Sequence, residues 1–131
     1  MKTTTVWKQA HQFESTQDHN TIALDGDKQQ GFSPKALLLA GLAGCSGIDV
    51  VDILTKMKVE FSDLVMDTEA GQTTEHPRVF TEVLITYRIK TDPSNEDKVK
   101  KAIGLSLQKY CGVSAMLQKN SPVNYKLLIQ S

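Results

Sequence analysis

The chain has 131 residues, which is long enough for one hydrophobic core but short for two, so a single domain over residues 1–131 is expected. Hydrophobic residues make up 40% and charged residues 23%, an ordinary globular composition that argues against disorder. The 15 Lys and Arg residues balance 15 Asp and Glu residues, so charge favours neither nucleic acid nor an anionic membrane as a partner.

Three short strands are predicted in the N-terminal segment. They are TTTVW, a piece around Phe13, and TIAL, with QDHN and DGD as the turns between and after them. The first residues lack the continuous apolar run of a signal peptide, so a cytoplasmic protein is expected.

A long helix is predicted from Pro34 to about Met57. Ser33 is a good N-cap, and Pro34 suits the first helical position because its missing N–H costs little there. Residues 36–48 carry no charge, but about 20 such residues would be needed to cross a bilayer, so no membrane association is expected.

Glycine recurs in this helix at positions 41, 44 and 47. Each interior glycine lowers the stability of the helix by roughly 0.5–1 kcal/mol relative to alanine. Close packing of another backbone against these small residues would offset that loss. Leucines at 37, 38, 39 and 42 make the helix apolar on most sides, and we expect that one small domain does not cover them all. A homodimer that covers this helix is therefore expected.

The remainder of the chain predicts strands, two helices and a last strand, which gives an α+β fold. The two strands are VEFSDLVMDTEAG and RVFTEVLITYRIK, and Arg78 and Arg88 are expected on the polar face of the second. Its apolar face is expected to carry Val79, Thr81, Val83, Ile85, Tyr87 and Ile89.

A helix follows the DPSN segment and has Val99, Ala102, Ile103 and Ser106 at helical spacing. A short helix is predicted at about 113–119, and the strand VNYKLLI closes the chain.

Two cysteines are the candidate functional residues. Cys45 lies in the middle of the long helix, where it is either a small core residue or a working thiol. Cys111 lies where one helix ends and another begins, and N–H groups at a helix start lower a thiol pKa. No cysteine or histidine has zinc-ligand spacing, and no histidine is spaced to serve a cysteine hydrolase, so neither a metal nor a cofactor is expected.

The segments SPKALLLAGLAGCSGIDVV and SLQKYCGVSAML resemble the two cysteine motifs of the OsmC/Ohr family, the osmotically induced and organic hydroperoxide resistance proteins. The order of the predicted elements is similar over essentially the whole chain, and the C-x-x-I-D-V-V helix is similar to the OsmC-like branch. The resemblance implies an intertwined homodimer with an active site at each interface.

The resemblance also implies a thiol-dependent peroxidase. Cys45 matches the peroxidatic cysteine, which would reduce an organic hydroperoxide and become a sulfenic acid. Cys111 matches the resolving cysteine, which would form a disulfide that an external dithiol, such as a lipoylated protein, then reduces.

The sequence departs from the family at the residues that would activate the thiolate. Active members supply an arginine from the N-terminal strands and a glutamate at the start of the helix, whereas this chain has no arginine before Arg78 and has Lys35 after Pro34. Arg78 and Lys35 are therefore the candidate activating cations. Asp49 follows Cys45 by one helical turn and would oppose thiolate formation if it lies close. The alternative function is a homodimer of the same fold that binds a small apolar or thiol-reactive ligand without efficient turnover.

Overall fold

The computed structural model describes all residues from Met1 to Ser131. They form two compact units, Met1–Leu38 and Leu39–Ser131. The expectation of a single domain stays a prediction. The architecture is mixed α and β, as predicted, with two small sheets and three α-helices.

The first unit is an antiparallel three-stranded sheet in the order β1-β2-β3. Its strands are β1 Thr4–Gln9, β2 Gln12–Gln17 and β3 Asn20–Asp25, as the sequence predicted. Short turns join them, and each turn contains a residue with positive φ, Ala10 at 47° and Asp18 at 54°. A chain that reverses in so few residues needs that left-handed backbone.

A loop organised by Asp25 follows β3. The buried carboxylate of Asp25 accepts hydrogen bonds from the N–H groups of Asp27 at 2.8 Å, Gln30 at 3.0 Å and Gln29 at 3.3 Å. These bonds lower the pKa of Asp25, because they stabilise its charged form. His11 pairs with Asp27 at 3.0 Å, so the same loop is also joined to the turn after β1.

Helix α1 spans Pro34–Lys56, in agreement with the predicted start and end. Its length and composition would allow it to cross a membrane, a test that core helices of soluble proteins also pass. In the second unit it contributes fully buried side chains to the core, namely Leu42, Ser46, Val50 and Leu54. Its opposite side is open, since Gly41 and Gly44 are exposed and Ile48 is 65% exposed. The single chain therefore covers only one side of the helix.

The second unit contains a sheet in the order β4-β5-β6, formed by Phe61–Gln72, Phe80–Thr91 and Val123–Gln130. Strand β5 runs antiparallel to β4 and parallel to β6. Val83, Ile85, Tyr87 and Ile89 face the core as predicted.

The start of β5 differs from the prediction. Val79 precedes the strand and is exposed, Thr81 is also exposed, and Phe80 is buried in their place. The register with β4 shifts between Gly71 and Gln72, and such an irregularity changes which face a residue occupies.

The helical segment after β5 begins with the 3₁₀ turn Pro93–Asn95 and continues as α2, Glu96–Leu105. Val99, Ala102, Ile103 and Ser106 are buried, as their helical spacing predicted. The next residues, Ser106–Tyr110, form a π-helical turn, and α3, Gly112–Gln118, follows directly. The π turn was not predicted from the sequence.

Candidate active site

The second unit brings the two thiols together. Cys45 lies in α1 and is partly buried, whereas Cys111 lies at the start of α3 and is only 3% exposed. Both are free cysteines. The Cys45 thiol lies beside the Cys111 thiol, and the interaction between them raises the pKa of Cys111. Residues 66 positions apart in the sequence are therefore neighbours.

The backbone around Cys111 explains how its side chain is oriented. Its N–H donates a 2.7 Å hydrogen bond to the carbonyl of Ser106, which closes the π turn. Cys111 then adopts an extended backbone as the N-cap of α3, and its Sγ accepts a hydrogen bond from the Ser114 N–H at 3.3 Å. π-Helical turns are frequent at functional sites.

The pKa of Cys111 is raised to about 11. Burial is the largest cause, followed by the hydrogen-bonding interaction with Cys45, and the negative charge of Asp49 adds to both. The Ser114 N–H acts in the opposite direction but does not outweigh them. The expectation that a helix start lowers the pKa of this thiol is therefore wrong in net effect, because one amide cannot offset removal from water.

A chain of hydroxyl groups runs beside the thiols. Ser106 Oγ donates to Asp49 Oδ2 at 2.9 Å and lies 2.9 Å from Ser46 Oγ. Ser46 Oγ in turn lies 2.6 Å from the hydroxyl of Tyr87. The three hydroxyl-bearing residues are fully buried, and burial raises the pKa of Tyr87 to about 12, so its phenol stays protonated at neutral pH.

The π turn is also held from its other side. The carbonyl of Leu107 accepts hydrogen bonds from Gln118 Nε2 at 2.9 Å and from Ser114 Oγ at 3.2 Å. Gln118 also donates to Ser114 Oγ at 2.6 Å. Helix α3 is thus joined to the segment that presents Cys111.

The cations considered for Cys45 belong to three different parts of the chain. Arg78 is exposed in the connection before β5, not on the strand face where it was expected, because β5 begins at Phe80. Lys35 lies in the first turn of α1, in the N-terminal unit. Arg88 is on β5 and pairs with Asp67 at 3.0 Å. None of them is among the groups that act on the pKa of Cys111. No group of three or more His, Cys, Asp or Glu side chains is arranged to hold a metal ion.

Residues 25–126, which include both thiols and the hydroxyl chain, match the family of OsmC-like proteins. The chain belongs to the OsmC-like family. It is 34% identical to protein YhfA of Escherichia coli strain K12 over 107 residues, which cover 81% of this chain and 79% of YhfA. Membership of the OsmC-like family supports a role in peroxide or stress defence.

Solved structures of OsmC-like proteins share this fold. An OsmC-like protein from Mycoplasma pneumoniae superposes with a TM-score of 0.87 at 21% identity, over 99% of this chain and 96% of that one. The organic hydroperoxide resistance protein OhrB of Bacillus subtilis superposes with a TM-score of 0.68 at 17% identity, over 97% of this chain and 96% of that one. At these identities the similarity establishes the fold.

Both cysteines are predicted by the sequence of this OsmC-like protein, whereas the hydroxyl chain is not. Ser46 and Asp49 lie one and four residues after Cys45, so they sit near it on the same helix. Ser106 shares the apolar helical face of Val99 and Ile103. A serine on a buried apolar face needs a hydrogen-bond partner inside the protein. This requirement was the sequence signal that could have predicted the hydroxyl chain.

Proposed function

We propose that this OsmC-like protein is a thiol-dependent peroxidase that reduces organic hydroperoxides through a two-cysteine cycle. The observation that carries the proposal is the contact between Cys45 and Cys111 inside an apolar core. Two free thiols held side by side can form a disulfide without large movement of the chain.

The first step takes place at Cys45, the more accessible thiol. Its sulfur attacks the distal oxygen of the hydroperoxide ROOH, the O–O bond breaks, and the products are the alcohol ROH and Cys45–SOH. An apolar environment of the kind around Cys45 favours an alkyl or aryl hydroperoxide over hydrogen peroxide.

The second step joins the two sulfurs. Cys111–SH condenses with Cys45–SOH, the S–O bond breaks, and the hydroxyl leaves with the Cys111 proton as water. An external dithiol then reduces the disulfide by exchange and is itself oxidised to a disulfide. No bound cofactor is required.

A cation that stabilises the Cys45 thiolate remains part of the proposal, with Arg78 and Lys35 as the candidates. A homodimer is proposed as well, because the uncovered side of α1 carries Gly41, Gly44 and the exposed Ile48. A cytoplasmic location, where external dithiols are maintained in reduced form, fits the same cycle.

The test is to count free thiols and measure intact mass after one equivalent of cumene hydroperoxide. Wild type is expected to lose both thiols and the mass of two hydrogens. Cys111→Ser is expected to accumulate a sulfenic acid that dimedone traps, and Cys45→Ser is expected to form none. Unchanged thiols in the wild type would contradict the proposal.

A second candidate function is ligand binding without turnover. It is favoured by the raised pKa of Cys111 and by a mainly apolar groove along α1. The groove is lined by Gly44, Gly47, Ile48, Val51, Leu64 and Met66, with Asp52 as its one charged residue. In that case a small apolar molecule would bind in the groove, and the thiols would survive peroxide. Saturable binding of an apolar ligand in this groove would then replace peroxide consumption as the activity.

A further inference from the structure

Ser106 connects the segments that carry the two thiols. Its hydroxyl contacts Ser46 and Asp49 on α1, the helix of Cys45. Its carbonyl accepts the N–H of Cys111 at 2.7 Å. One fully buried serine therefore makes polar contacts with both sides of the dithiol.

The hydroxyl of Ser106 connects a carboxylate to the buried hydroxyl chain. A carboxylate only accepts hydrogen bonds, so Ser106 is the donor to Asp49. Ser106 is also the donor to Ser46 at 2.9 Å, so its single proton serves two acceptors, and Ser46 in turn contacts the hydroxyl of Tyr87. The four groups form one connected buried network, and hydrogen bonds in such a network strengthen each other.

We propose that Ser106 is a positioning residue for disulfide formation, because its bonds to Asp49 and Ser46 hold the π turn of Cys111 against the helix of Cys45. The proposal rests on the two-cysteine cycle proposed above. It assigns to Asp49 the role of the acceptor that fixes the Ser106 hydroxyl. The negative charge of Asp49 also adds to the raised pKa of Cys111, after burial and Cys45. The titratable groups that face Cys111 are Cys45 and Asp49 on α1 and Tyr87 on β5.

The experiment measures how strongly the fold favours the disulfide, without any hydroperoxide. The protein is equilibrated with known concentrations of reduced and oxidised glutathione at pH 7, and the ratio of protein disulfide to protein dithiol is measured. Together with the glutathione concentrations, this ratio gives the effective concentration of the two thiols, which measures how strongly the fold favours their disulfide. The exchange consumes one oxidised glutathione and releases two reduced ones, so the result does not depend on peroxidase activity.

Ser106→Ala is expected to lower this effective concentration about tenfold or more, since small displacements of reacting groups have effects of this size. The matched control is Thr91→Val. Thr91 donates to the carbonyl of Glu60 and accepts from Asn95, so the change removes a largely buried hydroxyl outside the dithiol site. The control is expected to leave the effective concentration unchanged at a comparable loss of stability.

A pair of changes at Asp49 keeps the test decisive if Ser106→Ala does not fold, because Asp49 is only partly buried. Asp49→Ala removes both the acceptor and the charge, and it is expected to lower the effective concentration. Asp49→Asn keeps an acceptor oxygen, and it is expected to preserve the effective concentration while moving the pH profile of Cys111 alkylation to lower pH.

The outcomes separate the two proposals. If the wild type forms no disulfide in oxidised glutathione, the two-cysteine cycle fails. If the wild type forms it and Ser106→Ala or Asp49→Ala matches the wild type, only the positioning role fails. Equal losses in Asp49→Asn and Asp49→Ala, with an unchanged pH profile, would also overturn the role given to Ser106 and Asp49.

Discussion

The hydroxyl of Ser46 lies 2.6 Å from the hydroxyl of Tyr87, and neither residue is exposed to solvent. This bond joins the middle of α1 to the central strand of the second sheet, one residue after Cys45. Because the bond is buried, water cannot replace either partner when it is lost.

Tyr87→Phe is expected to lower the free energy of unfolding by about 1 kcal/mol, the usual net value of one hydrogen bond. Ser46 keeps its hydrogen bond with Ser106 in the variant, so the loss of stability is not larger. Urea denaturation measures the change in the free energy of unfolding. The control is Tyr125→Phe, which keeps the edge-to-face ring pair with Tyr87 at 6.1 Å and is expected to have a smaller effect. An equal loss in both variants would contradict the importance of the Ser46 bond.

Stability is expected to fall at alkaline pH through Tyr87. Its folded pKa is about 12 against an ordinary value of 10.0, so the folded state holds the proton more tightly. The contribution is fully present below pH 10 and is lost as the pH rises through about 12. Tyr87→Phe removes this contribution, so the wild type should lose its stability advantage over the variant across that window. A constant difference between the two urea midpoints would count against the raised pKa.

Cys45→Ala is expected to lower the pKa of Cys111, because the interaction with Cys45 is the second largest cause of its rise. Burial is the largest cause and persists in the variant, so the pKa should stay above its ordinary value of 9.0. The rate of alkylation by iodoacetamide, followed by mass against pH, reports this value. An unchanged profile would mean that the thiols do not interact.

Gly44→Ala tests the proposed homodimer. Nothing lies within 4 Å of the methyl group that the change adds, so the single chain should gain roughly 0.5–1 kcal/mol of helix stability. If a second copy packs on this side of α1, the same methyl group should weaken self-association. Sedimentation velocity measures the effect.

The control for that experiment is Gly104→Ala in α2, where the added methyl group also meets nothing. It is expected to leave association unchanged. Association that is equally strong in Gly44→Ala and in the wild type would exclude Gly44 from the interface.

Asp25→Ala is expected to loosen the loop after β3, because three backbone N–H groups lose their acceptor. The folded pKa of Asp25 is lowered, so its contribution to stability is present above about pH 3.8 and is lost as the pH falls through the lower folded value. Faster hydrogen exchange at Asp27 and Gln30 would show the loosening. Wild-type exchange rates at both amides would contradict it.

Much of the secondary structure was determined by local sequence. Ser33 and Pro34 define the start of α1, and the alternation from Val83 to Ile89 identifies the buried face of β5. These signals act over a few residues, through backbone restriction and side-chain periodicity, and so they can be read without knowing the fold. Both cysteine positions could be identified as candidates for the same reason, since their motifs are local.

The chemistry of the site was decided by tertiary structure. The net pKa of Cys111 depends on burial and on Cys45, which is distant in sequence, and local reasoning from the helix start predicted the wrong direction. The hydroxyl chain joins Ser46, Tyr87 and Ser106 from three separate elements, and the position of Arg78 depends on where the register of β5 begins. Desolvation and long-range hydrogen bonds act through space, so only the packed fold determines which groups act on the thiols.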